Sequence, residues 1–475
     1  MRWRRLTLAL GLAAVLAGAG WGYRLLSRHA LVARHLPSTP DLSPGPAVLA
    51  DQVIDAGRMA HSWLKAPAGL AALSRLYHAN GFYPEARLCY QGLRLLEPDN
   101  ARWPHLEAGI LALYGRADDA LPLFRRAIEL APDYLPARVR LGDVLVKDNQ
   151  PAAAARVYTD ALQRAPGHPY ALLGLARCAI ANGDWARARE RLDEAVAQHP
   201  DFIGALSLLV TVSERLGNPV AAAELRTRIA GREFTDLPDP WLDELADACF
   251  DAYRLSVSAV VARASGDTAR ALALLDRAAA LAPGTGSPLR QAGQIYLADR
   301  DYGMARGKLE QAVAANPADA DAWLLLLEAL HGLGQEQAAA GALQKALAHC
   351  PQSPGLHLER ARWLKSTGRL AEAIAEFRQS YQLRPSEATP LVELANACFA
   401  ADRAPEGLTA LREALERQPG HPMALVSLTF YHIVSGDEAG ALRDWAEVRQ
   451  QPKVPVAMAD YLRRAYRQQF GRELP

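Results

Sequence analysis

Residues 118–132 set a pattern that recurs along the chain. A small residue (Ala120) is followed four positions on by a large ring (Phe124), then by a second small residue (Ala127), and the run closes on Pro132. Spacings of three and four hold side chains on one face of a helix. The closing prolines fall at Pro98, Pro132, Pro166 and Pro200, then at Pro283, Pro317, Pro351, Pro385 and Pro419, always 34 residues apart within a group. The residue before a proline resists the helical region, so each of these prolines stops a helix. Between them stand Gly81, Gly115, Asn149, Gly183, Gly217, Gly266, Gly334, Gly368 and Gly436, residue types suited to a left-handed position that ends a first helix. A fixed period of this length predicts pairs of antiparallel helices stacked into a solenoid.

Repeats counted in this register start at 67, 101, 135, 169 and 203, then at 252, 286, 320, 354, 388 and 422, eleven in all. The unit 135–168 places Leu141, Gly142, Leu145, Ala154, Tyr158, Ala161 and Pro166 at positions 7, 8, 11, 20, 24, 27 and 32. The unit 286–319 has Leu289, Gly293, Tyr296, Ala305, Leu309, Ala312 and Pro317 at positions 4, 8, 11, 20, 24, 27 and 32. Small residues at 8, 20 and 27 with bulky ones between them resemble the tetratricopeptide repeat family, and the resemblance covers about four-fifths of the chain. It implies an all-α fold, a right-handed superhelix with a groove lined by the first helix of each repeat. Some units depart from the pattern. Pro104 and Glu107 stand where repeat 101–134 expects bulky residues, so its first helix is expected to start late; Arg226 replaces a core residue in 203–236, and Gly407 and Pro405 sit in the second helix of 388–421.

Between Pro200 and Pro283 the register slips by 15 residues, which fall within 231–251. This acidic insert holds seven acids and one arginine. Asp239-Pro240 is a helix-start signature, and Asp239, Asp243, Asp247 and Asp251 then recur every fourth residue. The expectation is a helix with a solvated acidic face, bridging lobes 67–230 and 252–453 and turning Trp241, Leu242, Leu245 and Cys249 to the solenoid. The alternative is a docking stripe for a basic partner or a divalent cation.

Before the array, residues 6–23 carry no charge and follow Arg2, Arg4 and Arg5. As a helix they span about 27 Å, enough to cross a bilayer. Trp21 and Tyr23 suit the interface, which favours an uncleaved transmembrane anchor over 1–23. The competing reading is a signal peptide cut after Ala17-Gly-Ala19, giving an exported soluble protein. Either way the repeats lie outside the cytoplasm, in a periplasmic or similar compartment. Residues 24–48 read as a basic juxtamembrane segment and a proline-rich linker (Pro37, Pro40, Pro44, Pro46), 49–66 as a leading helix, and 454–475 as a capping helix. The formal net charge is +1, but the first 35 residues hold six arginines and no acid, leaving the body at −5. A mildly acidic body argues against nucleic acid as a partner. Five scattered cysteines form neither a disulfide framework nor a metal site.

No phosphate-binding loop, H-E-x-x-H or G-x-S-x-G motif occurs. His168 and His421 open repeats as turn residues, and Glu359 and Glu393 read as surface carboxylates rather than an acid/base pair. The expectation is a non-enzyme without cofactor or metal. In the resembled family, positions 2, 5, 6, 9, 12 and 13 of each first helix face the groove. Here they include Arg75, Arg140, Tyr170, Arg177, Tyr253, Arg290, Gln294, Arg362, Lys365 and Asn396, in which arginine and tyrosine are types that dominate interface energies. The family's carboxylate clamp is only half matched: Arg290 and Gln294 approximate it, but Leu325 occupies the next required position. With the amino-terminal run, these residues lead to the expectation of a membrane-tethered scaffold that holds protein or peptide segments; the resemblance to bacterial members of the family implies a part in assembly of envelope or secretion complexes. Alternatives are an accessory or regulatory subunit of a separately encoded enzyme, or a self-associating structural component.

Overall fold

In the computed structural model the described residues are 2–474 apart from 44, 231–233, 235, 452 and 453, with side chains described from residue 19 onward. Among them every regular element is a helix. The chain divides into two compact units, Met1–Leu281 and Ala282–Pro475. Unit 1 therefore takes in the repeat at 252, which the sequence pattern assigns to a second lobe.

Unit 1 opens with α1 (Arg2–His35) and α2 (Ala47–Ala60). Five helix pairs follow: α3 (Ala66–Ala79) with α4 (Tyr83–Leu96), α5 (Arg102–Leu113) with α6 (Ala117–Leu130), α7 (Leu135–Lys147) with α8 (Pro151–Arg164), α9 (Pro169–Ala181) with α10 (Trp185–Gln198), and α11 (Ile203–Arg215) with α12 (Pro219–Ile229). The insert forms one turn, α13 (Pro240–Asp243), and a 3-10 turn (Glu244–Ala248), and the sixth pair is α14 (Ala252–Ala264) with α15 (Thr268–Leu281). Unit 2 holds five further pairs between α16 (Ser287–Ala298) and α25 (Glu438–Arg449), and ends on α26 (Val456–Phe470).

The small-and-large alternation explains why the pairs pack. Ala120, Ala127, Ala154 and Ala161 are fully buried, and so are Phe124 and Tyr158 between them. Without a long side chain at the alanines, the paired backbones approach closely enough for one ring per repeat to fill the space left. Gly142 and Gly174 bring a third and fourth close approach to the same ring, since a Cβ at either would lie 2.5 and 2.3 Å from Tyr158 atoms.

Repeat 101–134 does not start late: α5 begins at Arg102, with Pro104 in its first turn, where no N–H is needed. Its Glu107 is buried, and Arg94 at 3.2 Å and Gln91 at 3.3 Å supply the partners a bulky apolar residue would not need. Pro405 likewise sits in the first turn of the helix Ala404–Arg417, and Gly407 lies beneath Phe399.

The amino-terminal helix continues past Tyr23 through the basic juxtamembrane segment to His35, 34 residues and about 51 Å in all at 1.5 Å each, and its last turns are seated on the first repeat. Val32 is fully buried, His29 stacks on Trp63 with ring centroids 4.2 Å apart, and His35 lies against Gly92. So 24–35 is part of the body rather than a free segment. Among the described residues no helix is long and apolar enough to cross a membrane; most of the run 6–23 falls on residues whose side chains lie outside that description. At the other end, α26 turns Leu462 and Tyr466 inward and leaves Arg463, Arg464, Arg467 and Gln468 exposed, the amphipathic form a terminal cap requires.

Candidate peptide-binding face

The first helices α3, α5, α7 and α9 present one face on which the insert lies, without regular structure over 236–239 and then through α13 and the 3-10 turn. Arg140 on α7 donates both guanidinium nitrogens to Asp236, at 3.1 and 2.8 Å, in the forked geometry that suits a carboxylate. The Tyr170 hydroxyl on α9 donates to the Asp236 main-chain carbonyl at 2.9 Å. Leu237, 4% exposed, enters the core that holds Phe124, Val139 and Tyr158. His105 on α5 contacts Asp239 through Nε2 at 2.6 Å, and the Tyr134 hydroxyl donates to the other carboxylate oxygen. The Trp241 amide donates back to that hydroxyl at 3.0 Å, and the two rings stack at 3.5 Å and 11°.

Asp239 is 1% exposed. Burial pushes its carboxyl up, but the hydrogen bonds from His105 and Tyr134 and the charge of Arg140 outweigh burial and hold it below the usual range. It is therefore a carboxylate, which only accepts, so His105 donates to it from Nε2. The second half of the insert is fastened differently. Arg270 donates to the Asp243 carbonyl at 2.9 Å, and Arg277 to the carbonyls of Ala246 and Cys249 at 3.0 and 2.9 Å. Asn80, ending α3, grips the backbone from both sides: its amide donates to the Ala248 carbonyl at 2.8 Å, and its oxygen accepts from the Phe250 N–H at 2.7 Å. Arg102 pairs with Glu244 at 3.0 Å.

This arrangement corrects the expected acidic stripe. Asp239, Asp243, Asp247 and Asp251 do not share a helix face: Asp239 and Asp251 each cap a different helix, accepting from Leu242 and Arg254 backbone N–H groups. Asp239 faces the repeats, not solvent. Among the described residues no three His, Cys, Asp or Glu side chains are grouped to hold a metal ion. Of the residues expected to face the solenoid, Trp241, Leu245 and Cys249 do so, whereas Leu242 is 38% exposed.

The expected groove residues fall into two environments. In unit 1, Arg140 and Tyr170 hold the insert, Arg177 lies 3.5 Å from Asp143, and Arg75 and Tyr253 are exposed. In unit 2, Arg290 pairs with Asp319 at 3.0 Å, Arg362 with Glu359 at 2.8 Å, and Lys365 with Glu393 at 2.5 Å. Gln294 is exposed and Asn396 half-buried on the same faces. Sequence reasoning missed Asn80, His105, Tyr134 and Asp236. His105 stands at a groove-facing position of its repeat, so the family rule could have found it; its pairing with a residue 134 positions away leaves no local trace.

Tetratricopeptide repeat family models match residues 111–156 and 145–212, and residues 290–354 and 358–422. The curated Protein CTR9 homolog of Arabidopsis thaliana is 32% identical over 101 residues, which is 21% of this chain and 9% of that relative's length. Among solved structures, YrrB, a TPR protein with an unusual peptide-binding site, is 24% identical with a TM-score of 0.31 over 37% of this chain and 91% of that one. Yeast Tom70 is 13% identical with a TM-score of 0.37, covering 86% of this chain and 97% of that one. MamA from Desulfovibrio magneticus RS-1 is 22% identical with a TM-score of 0.32, covering 34% and 92%.

Proposed function

From the premise that this chain carries tetratricopeptide repeats, we propose that it is a scaffold that binds extended segments of partner proteins on the faces of its first helices. The observation that carries this reading is the segment 236–241 on α5, α7 and α9, extended as far as Asp239 and held by His105, Arg140 and Tyr170, side chains at groove-facing positions of their repeats. A face that holds one such segment has the donors, ring and apolar recess to hold others. On unit 2 the corresponding face offers Arg290, Arg362 and Lys365 with acids beside them, a mixed-charge surface that favours orientation and selectivity over raw affinity.

We further infer a membrane tether outside the cytoplasm, in the service of envelope or secretion assembly. Supporting it are the uncharged run 6–23 after three arginines, the exposed Trp21 and Tyr23 at the end of that run, and the exposed Leu26 beyond it on the same helix. Trp63, also exposed, stacks on His29 in the last turns of that helix, and it and the exposed Leu64 next to it in sequence suit a headgroup layer. With 24–35 seated on the first repeat, such a tether holds the body close to the bilayer instead of on a flexible leash.

A photo-crosslinking side chain at Gln294, on a first helix, is expected to capture a discrete partner in native membranes. The same group at Glu310, exposed on the second helix Tyr302–Ala315, is expected to capture none. Equal capture from both positions would overturn the assignment of the binding face.

A further inference from the structure

The segment 236–241 stands outside the 34-residue period, and α3 to α10 pack through their own alanines and rings. Nevertheless it occupies the face with three anchors set by side-chain chemistry. Asp236 goes to the Arg140 fork, Asp239 to His105 and Tyr134, and Trp241 to the Tyr134 ring. Leu237 fills the recess between the first two. Pro238 and Pro240 restrict the intervening backbone, which lowers the ordering cost of an extended ligand. The charges are complementary, with the acids on the segment and the basic or hydrogen-donating groups on the face.

We propose that His105, Tyr134, Arg140 and Tyr170 form a recognition site for an acidic segment of the form Asp-x-x-Asp-Pro-Trp, extended as far as its second aspartate and turning helical at its proline, and that the chain's own 236–241 is a resident occupant that a partner segment of the same chemistry displaces. This rests on reading the first-helix faces as partner-binding and names the ligand class of one of them. Two features make displacement mechanically possible. Residues 243–250 are fastened separately by Arg270, Arg277 and Asn80, so the anchors at 236–241 release without unfastening the rest. The amino end of the occupant is also solvated: the Asp236 side chain is 57% exposed, and Phe234, two residues before it, 53%. Exchange starts there.

A tethered occupant acts at an effective concentration on the order of millimolar, so it suppresses a free ligand of about 100 μM affinity roughly ten-fold. The test uses the full chain and a labelled peptide copying 234–242, read by fluorescence polarisation. Wild type is expected to bind weakly. A variant with Asp236→Ala, Asp239→Ala and Trp241→Ala, which empties the face, is expected to bind at least ten-fold more tightly. Adding Arg140→Glu to that variant is expected to abolish binding, as is replacing both aspartates of the peptide by asparagine. A folded triple variant that binds no more tightly than wild type makes 236–241 a fixed strut and overturns the proposal. If circular dichroism shows the triple variant unfolded, Asp236→Asn alone, at the solvated end, is expected to give a two- to three-fold gain, and parity with wild type overturns the proposal equally. Capture from Gln294 with no peptide binding would reject this inference only. Peptide binding with equal capture from Gln294 and Glu310 would reject only the assignment on unit 2.

Discussion

At the residue scale, the turn inside each helix pair is the most demanding position. Its backbone is left-handed at Gly81, Gly115, Asn149, Gly183, Gly217, Gly266, Gly334, Gly368 and Gly436, the positions where the sequence alone calls for it. Two repeats adopt the same conformation with the wrong residue: Arg300 has φ 59° and Asp402 φ 57°. What holds them there is the helix-ending pair of hydrogen bonds, from the Arg300 and Asp301 amides to Leu297 and Tyr296, and from the Asp402 and Arg403 amides to Phe399 and Cys398. A side chain with a Cβ is strained in this region by about 1–2 kcal/mol, less for aspartate, whose short polar group tolerates it. Arg300→Gly is therefore expected to stabilise the protein by about 1 kcal/mol, and Asp402→Gly by less. Thermal unfolding of the two variants checks the order as well as the sign. The small residues under Tyr158 give the opposite case. Gly174→Ala sets a methyl 2.3 Å from a fully buried ring that has nowhere to go, an overpacking cost of about 1–3 kcal/mol. Tyr158→Leu on that background is expected to recover part of the loss, which a double-mutant cycle measures. The left-handed turns follow from the 34-residue register and are legible without a structure; Gly174, at position 6 of its repeat, is not, because its approach to Tyr158 comes from the neighbouring repeat.

At the element scale the insert was only half legible. Its length, its charge and the Asp239-Pro240 start are plain in the sequence, and Asp239 does cap a helix. That helix lasts four residues because long-range donors take the carbonyls it would need: Arg270 takes that of Asp243, Arg277 those of Ala246 and Cys249, and Asn80 that of Ala248. These partners lie 27 to 168 positions away, beyond any periodicity argument. The four-residue spacing of aspartates that suggested one face has instead placed Asp243 beside buried Asp239. Burial, and then the charge of Asp239, push the Asp243 carboxyl up to about 6, with Arg270 and Arg140 pulling the other way. A carboxyl raised on folding stabilises the protein while protonated. That contribution is complete below its unfolded value, near 3.8, and is lost as pH rises through about 6. Asp243→Asn keeps the neutral form at every pH. It is expected to raise stability by about 1 kcal/mol at pH 7.5, discounted for the part of the side chain still in water, and to change it little at pH 4. Melting temperatures of the two proteins across that interval check the prediction; a constant offset would mean the carboxyl is not the titrating cause.

At the scale of the whole molecule, the two units differ in how far a disturbance travels. A stacked array is held by nearest neighbours, so damage in one repeat spreads to those beside it and fades. In unit 2 the ion pair Lys365–Glu393 reaches from one repeat to the next, and Arg472–Glu438 joins the last repeat to the capping segment. Unit 1 has in addition a strap of chain that ties α3, α5, α7 and α9 to one another and to α15, through contacts 96 residues apart at Arg140–Asp236, 134 at His105–Asp239 and 168 at Asn80–Ala248. Those closures convert part of a linear array into a cooperative domain. Phe124→Ala and Phe377→Ala remove equivalent, fully buried rings, each at a cost of about 3–5 kcal/mol. Their reach is expected to differ. Native-state hydrogen exchange of Phe377→Ala is expected to show protection lost from Pro354 to about Val434 and kept elsewhere in unit 2. Phe124→Ala is expected to lower protection together across α3 to α10, the insert and α15, because the core under Leu237 that seats the strap contains that ring. Loss confined to α5 to α8 would show that the strap lies on the repeats without coupling them, and would weaken the case that its anchors matter to what the face binds.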